Sequence, residues 1–334
     1  MRIPKIALAP ACPETTLGEG NPEGFPTTHP LPKTMQFSQT LALMLITTPL
    51  AHAVSLINLN FTGPMTSVQQ QTFIDAADFW NSAITGYELN SYNLSPQTHS
   101  LTIDVSLPAI DGLYGILGSA GPETGNYFNA YNYSPITGYT LTKSLLYTTT
   151  GSMQFDSADV DMMITNNTFY GVVLHEMAHV LGIGTLWTFN TNQFGTDYNL
   201  YTTGSGQYYG PNALEAWQTE FGQAGATYVP VELGGGAGTA NGHWNEVDKG
   251  AGNTGFVSNL TGMDLSQELM TGWIGNTVFL STVTLGGLED LGYLVDYSKA
   301  GVVSYVQAVP EPGSLAGMSA LLAAGILSRR RKTH

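Results

Sequence analysis

Alternating apolar and polar positions define the first elements of the chain after residue 53. Residues 54–61 alternate and predict a β-strand. Thr66 or Ser67 can cap a following helix that runs to about Ile84, because apolar side chains then recur at helical spacing. That helix would bury one face, formed by Phe73, Ala76, Ala77, Trp80 and Ile84. Alternation returns at residues 101–105 and predicts a second strand.

The middle of the chain changes from turn-rich to apolar sequence. Residues 112–139 are rich in glycine and tyrosine and predict loops and edge structure. Short strands are predicted at residues 145–147 and 153–155, ahead of an apolar stretch at 169–174. This stretch opens a helix that Gly182 is placed to end. The order of strand, helix, strands and helix predicts an α+β fold with a sheet packed against two helices.

A long polar insertion, rich in glycine, asparagine and tyrosine, follows residue 187. Pro211 can start a helix within it, predicted over residues 212–221, because proline suits the first helical position. The glycine tract at residues 234–238 lacks the strand, loop and helix that surround a nucleotide-binding loop. The tract predicts local flexibility or a close approach of the backbone near a cleft.

The sequence HEMAHVLGIGTLW at residues 175–187 carries the strongest chemical signal. In a helix, His175 and His179 lie one turn apart on one face and can present two imidazole nitrogens to one metal ion. A catalytic zinc needs a third protein ligand and an open position for water, whose pKa it lowers to about 7. Glu176 is then placed to accept the proton of that water. A chance match on a surface helix is disfavoured by the apolar residues before the motif and the glycines after it.

The choice of a third ligand is narrow, because residues 54–309 contain only four histidines. His243 is the leading candidate, since His99 opens a predicted strand as an ordinary polar residue. Asp197, 18 residues after His179, faintly resembles the aspartate ligand of aspzincins, but the spacing of the fuller aspzincin motif is not reproduced. The predicted third ligand is therefore His243, with Asp197 as an alternative.

Three aspartates, Asp156, Asp159 and Asp161, lie shortly before the histidine motif. Such a group suggests calcium, but these residues lack the glycine and the distal glutamate of an EF-hand loop. Capping or surface roles are therefore predicted for them.

Residues 54–309 are strongly acidic. They contain three lysines, no arginine and 21 acidic residues, which gives a net charge of about −18. Such a surface repels phosphate backbones and argues against nucleic-acid binding. The only cysteine, Cys12, lies outside this span, so the span has no disulfide and no thiolate metal ligand. The composition favours a secreted protein stabilised by its core, with bound metal as a further source of stability.

The beginning of the chain carries a pattern typical of a targeting signal. Residues 41–50 form a short apolar run before Ala51-His52-Ala53, which predicts a secretory signal peptide over residues 35–53. Residues 1–34 are rich in proline and show no periodicity, so we interpret them as a doubtful leader. Translation is expected to start at Met35.

The other end of the chain, residues 310–334, holds Pro310-Glu311-Pro312, an apolar stretch at 315–327 and a basic tail at 329–332. A short apolar helix with a basic stop can hold a chain in a membrane with its charges on the cytoplasmic side. The arrangement resembles the PEP-CTERM sorting signal of Gram-negative bacteria, at which an exosortase cleaves. The resemblance implies transient membrane insertion, followed by release or attachment to the cell envelope. A permanent tail anchor is the alternative.

A series of motifs resembles leishmanolysin-like metzincins. In chain order these are HEMAHVLGIGTLW, an insertion of about sixty residues, VPVELGGGAGT (229–239), GHWNE (242–246), ELMTG (268–272) and LEDLGY (288–293). The resemblance covers residues 150–297. Most metzincins place the third histidine six residues after the second, but position 185 here is Thr185. His243 instead lies 64 residues beyond His179, as in the leishmanolysin branch.

This resemblance implies a metzincin-like two-lobed catalytic domain over residues 54–309. An upper lobe, about 54–184, would hold a twisted sheet and the metal helix. A lower lobe, about 185–309, would carry a Met-turn. The resemblance implies a Zn²⁺ ion on His175, His179 and His243, with Glu176 as general base and Met270 as the platform beneath the metal.

The predicted function is that of a secreted zinc-dependent endopeptidase, which hydrolyses protein or peptide bonds with metal-activated water. The alternative is a non-catalytic envelope or biofilm-matrix protein that retains a zinc site, which the sorting signal and the acidic, glycine-rich body would suit. Retention of Glu176 and all candidate histidines argues against a degenerate site. Because no cysteine follows Cys12, latency through a propeptide cysteine is not expected.

Overall fold

The structure is a computed structural model that describes residues 56–87 and 100–303, apart from 115, 189–198, 237, 247–251, 274 and 276. At residues 127–133 and 139–144 it describes the backbone alone. His99, Asp197 and the predicted segments 1–34, 35–53 and 310–334 lie outside the described residues. The roles suggested for them remain predictions.

Ten strands and five α-helices make up the described part of the chain. The strands are β1 (Ile57–Phe61), β2 (Ile84–Tyr87), β3 (Leu101–Ser106), β4 (Gly118–Ser134), β5 (Gly138–Phe155), β6 (Gln207–Tyr208), β7 (Val229–Pro230), β8 (Val278–Leu280), β9 (Tyr293–Val295) and β10 (Gly301–Val303). The helices are α1 (Ser67–Ala83), α2 (Ser157–Thr165), α3 (Phe169–Leu181), α4 (Pro211–Glu220) and α5 (Thr282–Asp290). This mixture confirms the predicted α+β class.

The largest sheet has four strands in the order β1-β3-β5-β4. Strands β1 and β5 both run parallel to the central strand β3, whereas β4 runs antiparallel to β5 and forms one edge. Residues 101–105 alternate between buried and partly exposed side chains, so one face of β3 packs into the core as its sequence predicts. The edge position of β4 leaves one row of its backbone groups without a partner strand in this sheet.

Helix α1 follows its sequence pattern closely. The hydroxyl of Thr66 accepts from the backbone N–H of Gln69, while the Gln69 side chain accepts from the N–H of Thr66. This capping box satisfies donors that the first helical turn leaves without partners. The predicted apolar face is buried from Phe73 to Trp80, and the helix ends at Ala83, next to the predicted end.

The hairpin of β4 and β5 corrects the prediction for residues 112–139. Residues 118–134 form one long strand instead of loops, and residues 145–147 and 153–155 belong to a single strand that begins at Gly138. The part of the prediction that is confirmed is edge structure, because β4 lies at the edge of the sheet. Turn-forming residues dominate the sequence of β4, so local patterns favoured loops, whereas cross-strand pairing decides the conformation. Register shifts between Pro122 and Gly125 accommodate the proline within the pairing.

An aromatic core joins the sheet to α1 and α3. The ring of Phe73 lies 5.3 Å from Phe155 and 5.4 Å from Phe169, measured between centroids. The indole N–H of Trp80 donates to the carbonyl oxygen of Leu174 at 3.2 Å, which ties α1 to α3 inside the core. The sheet therefore packs against two helices, as predicted, and one of them carries the histidine motif.

The chain after residue 199 contains α4, α5 and two two-stranded sheets, β6-β7 and β8-β10, and its strand β9 pairs with β2. Helix α4 starts at Pro211, as predicted, and ends at Glu220. The carboxylate of Asp290, the last residue of α5, accepts from the backbone N–H groups of Asn212 and Ala213 at the start of α4. This contact satisfies the N-terminal donors of α4 and joins the two helices.

Of the three aspartates before the histidine motif, Asp156 takes the predicted capping role, whereas Asp159 is buried instead of lying at the surface. Asp156 caps α2 by accepting from Ala158, and its second oxygen accepts from the N–H groups of Ile110, Asp111 and Gly112. Asp159 accepts from the N–H of Tyr114. These contacts fix the loop that leads into β4.

No helix within the described ranges has both the length and the apolar character required to cross a membrane.

Candidate active site

Helix α3 presents His175, Glu176 and His179 from a fully buried segment. Every residue of the helix is buried, and the two histidines lie one turn apart on the same side. Gly182 ends the helix with a φ of +122°, a value that few other residues adopt. The sequence prediction of a helix that ends after Leu181 is thus confirmed.

The last carbonyl groups of α3 are buried, and side chains satisfy them. The hydroxyl of Thr148 in β5 donates to Val180 O at 2.7 Å, and the hydroxyl of Tyr293 in β9 donates to Leu181 O at 2.8 Å. Thr185 donates to His179 O at 2.6 Å. Because buried carbonyls without partners cost free energy, these three donors fix the end of the helix on which His179 stands.

The turn after α3 brings in a distant segment of the chain. Gly184 has a φ of +75°, and a Cβ placed on it would lie 2.2 Å from the carbonyl oxygen of Gly242. Only a glycine allows the two backbones to approach this closely. The contact places Gly242, and therefore His243, beside the end of the helix.

Hydrogen bonds hold the segment of His243 from both sides. The N–H of Glu232 donates to His243 O at 2.9 Å, and the N–H of Trp244 donates to Met270 O at 3.0 Å. Asn241 adopts a φ of +70°, and its side-chain oxygen accepts from the hydroxyl of Tyr201 at 2.6 Å. These contacts give His243 a fixed position although it lies in a loop.

The structure brings His175, His179 and His243 together, as predicted. The Nε2 atoms of His175 and His243 lie 3.0 Å apart, those of His179 and His243 3.0 Å apart, and those of His175 and His179 3.1 Å apart. Within the described ranges, this is the group of three side chains able to hold a metal ion.

Backbone carbonyls assign the tautomer of each imidazole. The Nδ1 atoms of His175, His179 and His243 lie 2.6, 2.8 and 2.8 Å from the carbonyl oxygens of Leu269, Ile183 and Thr239, respectively. A carbonyl only accepts, so each Nδ1 carries the proton and each Nε2 keeps its lone pair. The lone pairs of the three Nε2 atoms are therefore available to a single metal ion between them.

The electrostatics favour neutral imidazoles. Burial lowers the pKa of His175, and the neighbouring His179 and His243 lower it further. Burial also lowers the pKa of His179, and it lowers that of His243 to about 3. Neutral nitrogens about 3 Å apart repel one another unless a cation lies between them, and Zn–N bonds of about 2.0–2.1 Å suit this spacing. The donor set fits a zinc ion.

Glu176 and Met270 lie in the buried surroundings of the histidines. Burial raises the pKa of the Glu176 carboxyl to about 8. Met270 is fully buried, and the preceding residue, Leu269, provides the carbonyl that accepts from His175. Met270 therefore stands in the segment that orients a histidine of the cluster.

Two cavities lie along the edge strand β4. A cavity of about 340 Å³ is lined by Ala120 of β4 together with His179, Gly184 and Asn241. A second, of about 470 Å³, follows β4 from Gly121 to Gly125 and reaches Leu186. Cavities of this size accept side chains of a peptide or a small molecule.

Sequence reasoning missed the groups that orient the cluster. The three Nδ1 acceptors are main-chain carbonyls, for which no side-chain pattern exists. Glu268, within the motif ELMTG, is fully buried and accepts four hydrogen bonds. In the sequence, the only indication that Glu268 is important was its position two residues before Met270. Within the glycine tract, a Cβ on Gly235 would lie 2.6 Å from the side chain of Thr239, so this glycine leaves room for a nearby side chain.

Comparison with known proteins agrees with this geometry. The family model for leishmanolysin, peptidase M8, matches residues 140–310, which is just over half of the chain. The match includes α3, the loop of His243 and the segment of Met270. A comparison with curated proteins gives no match. The chain belongs to the leishmanolysin family of metallopeptidases.

Proposed function

We propose that this protein is a secreted zinc-dependent endopeptidase, in which His175, His179 and His243 hold the metal and Glu176 acts as the general base. The observation that carries the proposal is the convergence of three unprotonated Nε2 atoms, each oriented by a carbonyl at its Nδ1. Leishmanolysin-type metallopeptidases are zinc-dependent, so the family supports the same metal.

The chemistry proposed is hydrolysis of a peptide bond by water. When bound, zinc supplies a Lewis acid that polarises the scissile carbonyl and lowers the pKa of water. Glu176 takes one proton from the attacking water as the new C–O bond forms. It then passes the proton to the leaving amine as the C–N bond breaks. The low-dielectric surroundings of the buried helix strengthen these charge interactions.

The proposal gives Met270 a packing role beneath the metal histidines, as the Met-turn of a lower lobe over about 185–309. A thioether there shapes an apolar cavity without competing strongly as a ligand. The upper lobe, about 54–184, would supply the sheet and α3. The complete burial of Met270 and its place beside Leu269 support this role.

The substrate is proposed to be an extended protein or peptide segment that lies along β4. An edge strand offers unpaired backbone groups to an extended peptide, a recurring mode of recognition. Ala120 of β4 faces the same cavity as His179, so a peptide on this edge would pass the histidine cluster. The acidic body makes nucleic acid an unsuitable partner.

The two terminal segments suggest the route of the protein through the cell. We propose export by the signal peptide at residues 35–53, and processing of residues 310–334 by an exosortase-type enzyme after transient insertion in the membrane. The mature protein would then be secreted or associated with the envelope of a Gram-negative bacterium. The sequence patterns at the two ends support this route.

A zinc and activity measurement on protein that begins at residue 54 tests the proposed activity. We expect about one zinc per chain and cleavage of casein that a chelator abolishes and added zinc restores. Zinc-free, inactive protein would instead favour the alternative of a non-catalytic envelope or biofilm-matrix protein.

A further inference from the structure

A carboxylate that the proposed chemistry does not use lies buried next to Met270. Glu268 has no exposed surface, and four neutral donors point at its two oxygens. The N–H of Met270 donates to Oε2 at 2.5 Å. The N–H of Ser281, the hydroxyl of Ser281 and the hydroxyl of Thr284 donate to Oε1 at 3.1, 2.8 and 2.6 Å. Burying a carboxylate costs free energy, so the position of Glu268 calls for an explanation.

Two N–H groups in this cluster donate to the hydroxyls that contact Glu268. The indole N–H of Trp244 donates to the Thr284 hydroxyl at 2.8 Å, and the N–H of Thr284 donates to the Ser281 hydroxyl at 3.1 Å. Each hydroxyl oxygen already accepts, so each hydroxyl proton is free to point at Glu268. Both oxygens of Glu268 therefore act as acceptors, although burial raises the pKa of its carboxyl.

Two arms lead from Glu268 toward two of the metal histidines. In the first, Glu268 holds the N–H of Met270 and thereby shapes the turn whose Leu269 carbonyl accepts from His175 Nδ1 at 2.6 Å. In the second, Glu268 holds Thr284, which holds the side chain of Trp244, the neighbour of His243. The N–H of Trp244 also donates to Met270 O, which joins the two arms.

We infer that Glu268 is a positioning residue of the metal centre, which braces His175 and His243 although the two lie on separate segments of the chain. The inference rests on the proposed zinc function. A histidine held in one orientation loses less freedom when it binds metal, so the brace should raise the affinity for zinc.

Glu268→Gln is the most specific substitution for this test, because it keeps the size of the side chain and replaces one accepting oxygen with a donating NH₂ group. An amide has one accepting end and one donating end. If the amide NH₂ faces Met270, it opposes the N–H of that residue. If it faces Ser281 and Thr284, it opposes the N–H of Ser281, and both hydroxyl protons must turn away from it. Either orientation leaves buried donors without a partner and displaces one of the two arms.

A matched control exists in the same half of the chain. Glu220 is also buried and accepts only from neutral donors, the Ser258 hydroxyl and the N–H and hydroxyl of Thr282. None of these partners contacts a histidine of the cluster through the hydrogen bonds described above. Glu220→Gln therefore reproduces the loss of a buried acceptor without the proposed connection to the metal.

The test measures zinc affinity by competition with a chromophoric chelator, for wild type, Glu268→Gln and Glu220→Gln, each shown to be folded by circular dichroism. We expect Glu268→Gln to bind zinc about 10- to 100-fold more weakly, the range for residues that orient metal ligands, and Glu220→Gln to match wild type. The visible spectrum of bound Co²⁺ should change in Glu268→Gln only. Unchanged affinity and spectrum in a folded Glu268→Gln would overturn the inference.

A second pair of variants tests the role of Glu268 if Glu268→Gln does not fold. Thr284→Val removes the hydroxyl that joins Glu268 to Trp244, and Thr284→Ser keeps it. Weaker zinc binding in the valine variant, restored by serine, would support the brace, whereas wild-type affinity in the valine variant would overturn it. Wild-type protein that binds no zinc would overturn the proposed function instead, so the two failures are distinguishable.

Discussion

The two parts of the histidine cluster are held in place by different means. His175 and His179 stand on one helix, where a spacing of four residues is sufficient to put them on one face. His243 lies in a loop, and its position depends on a glycine contact, on Asn241 and on hydrogen bonds from Glu232 and Trp244. Local geometry thus builds the first part, whereas long-range contacts build the second. The loop part should be the more sensitive to changes far from the histidines.

The largest effect is expected from removing His243 itself. We expect His243→Ala to bind zinc more than about 100-fold more weakly than wild type, because losing a ligand costs more than losing a residue that orients one. Peptide cleavage should fall to background. Zinc content measured after dialysis checks this expectation, with Asp197→Ala as the comparison. Zinc loss confined to the aspartate variant would assign the third ligand to Asp197.

Glu176→Gln separates chemistry from metal binding on the helix part. The variant should keep its zinc, because the three histidines remain, and lose peptide cleavage by about 10²- to 10⁴-fold, the usual contribution of a general base. Steady-state cleavage of a fluorogenic peptide and zinc analysis of the same sample give both values. A zinc-loaded variant with wild-type activity would remove Glu176 from this role.

Gly184→Ala tests the contact that joins the two parts. The new methyl group would overlap the backbone at Gly242 and occupy a left-handed conformation, so we expect a loss of about 3 kcal/mol in the free energy of unfolding. Urea unfolding measures it. Gly204 has a similar φ of +81° with nothing within 4 Å of an added Cβ.

The control Gly204→Ala therefore reports backbone strain alone and should cost about 1–2 kcal/mol. Equal losses in the two alanine variants would show that the close approach to Gly242 adds nothing to stability. A further expectation is that Gly184→Ala weakens zinc binding and Gly204→Ala does not.

Thr148→Val tests the helix part from the side of the sheet. The valine has the same shape but leaves the buried carbonyl of Val180 without its donor, which should cost about 1–3 kcal/mol in the free energy of unfolding. Thermal and urea unfolding measure the loss, and Thr148→Ser should restore most of it. Because the four-residue spacing of the helix histidines is local, we expect zinc affinity to change less than in Gly184→Ala.

Asp156 lies outside both parts of the histidine cluster and provides a reference for the pH dependence of stability. The backbone N–H groups of Ala158 and Asp111, followed by those of Gly112 and Ile110, lower the pKa of its carboxyl to about 2. The ionised form is therefore favoured in the folded protein, and its contribution to stability is present above the ordinary pKa of about 3.8 and is lost as pH falls toward 2.

In Asp156→Asn this part of the pH dependence should be absent. Unfolding free energies measured between pH 2 and 6 should therefore fall less steeply below pH 4 in the variant than in wild type. Parallel curves for the two proteins would contradict the role assigned to Asp156.

Elements with a local signature were predictable from the sequence. The capping box at Thr66, the apolar face of α1, the start of α4 at Pro211 and the end of α3 at Gly182 all follow from neighbouring residues. The long β4 and β5 strands were not predictable, because their turn-rich sequence becomes extended only through pairing with each other. Register and pairing are properties of two segments, and a pattern in one segment does not contain them.

For the proposed metal centre, the sequence by itself determined which side chains are available: two histidines at helical spacing, a glutamate beside the first and a further histidine for which the chain has few rivals. Tertiary structure alone decided the rest. It brought the Nε2 atom of His243 to 3.0 Å from those of His175 and His179, and it supplied the carbonyls of Leu269, Ile183 and Thr239 that fix the tautomers. The physical reason is that side-chain identity sets which atoms can bind a metal, whereas contacts between segments distant in the chain set where those atoms lie.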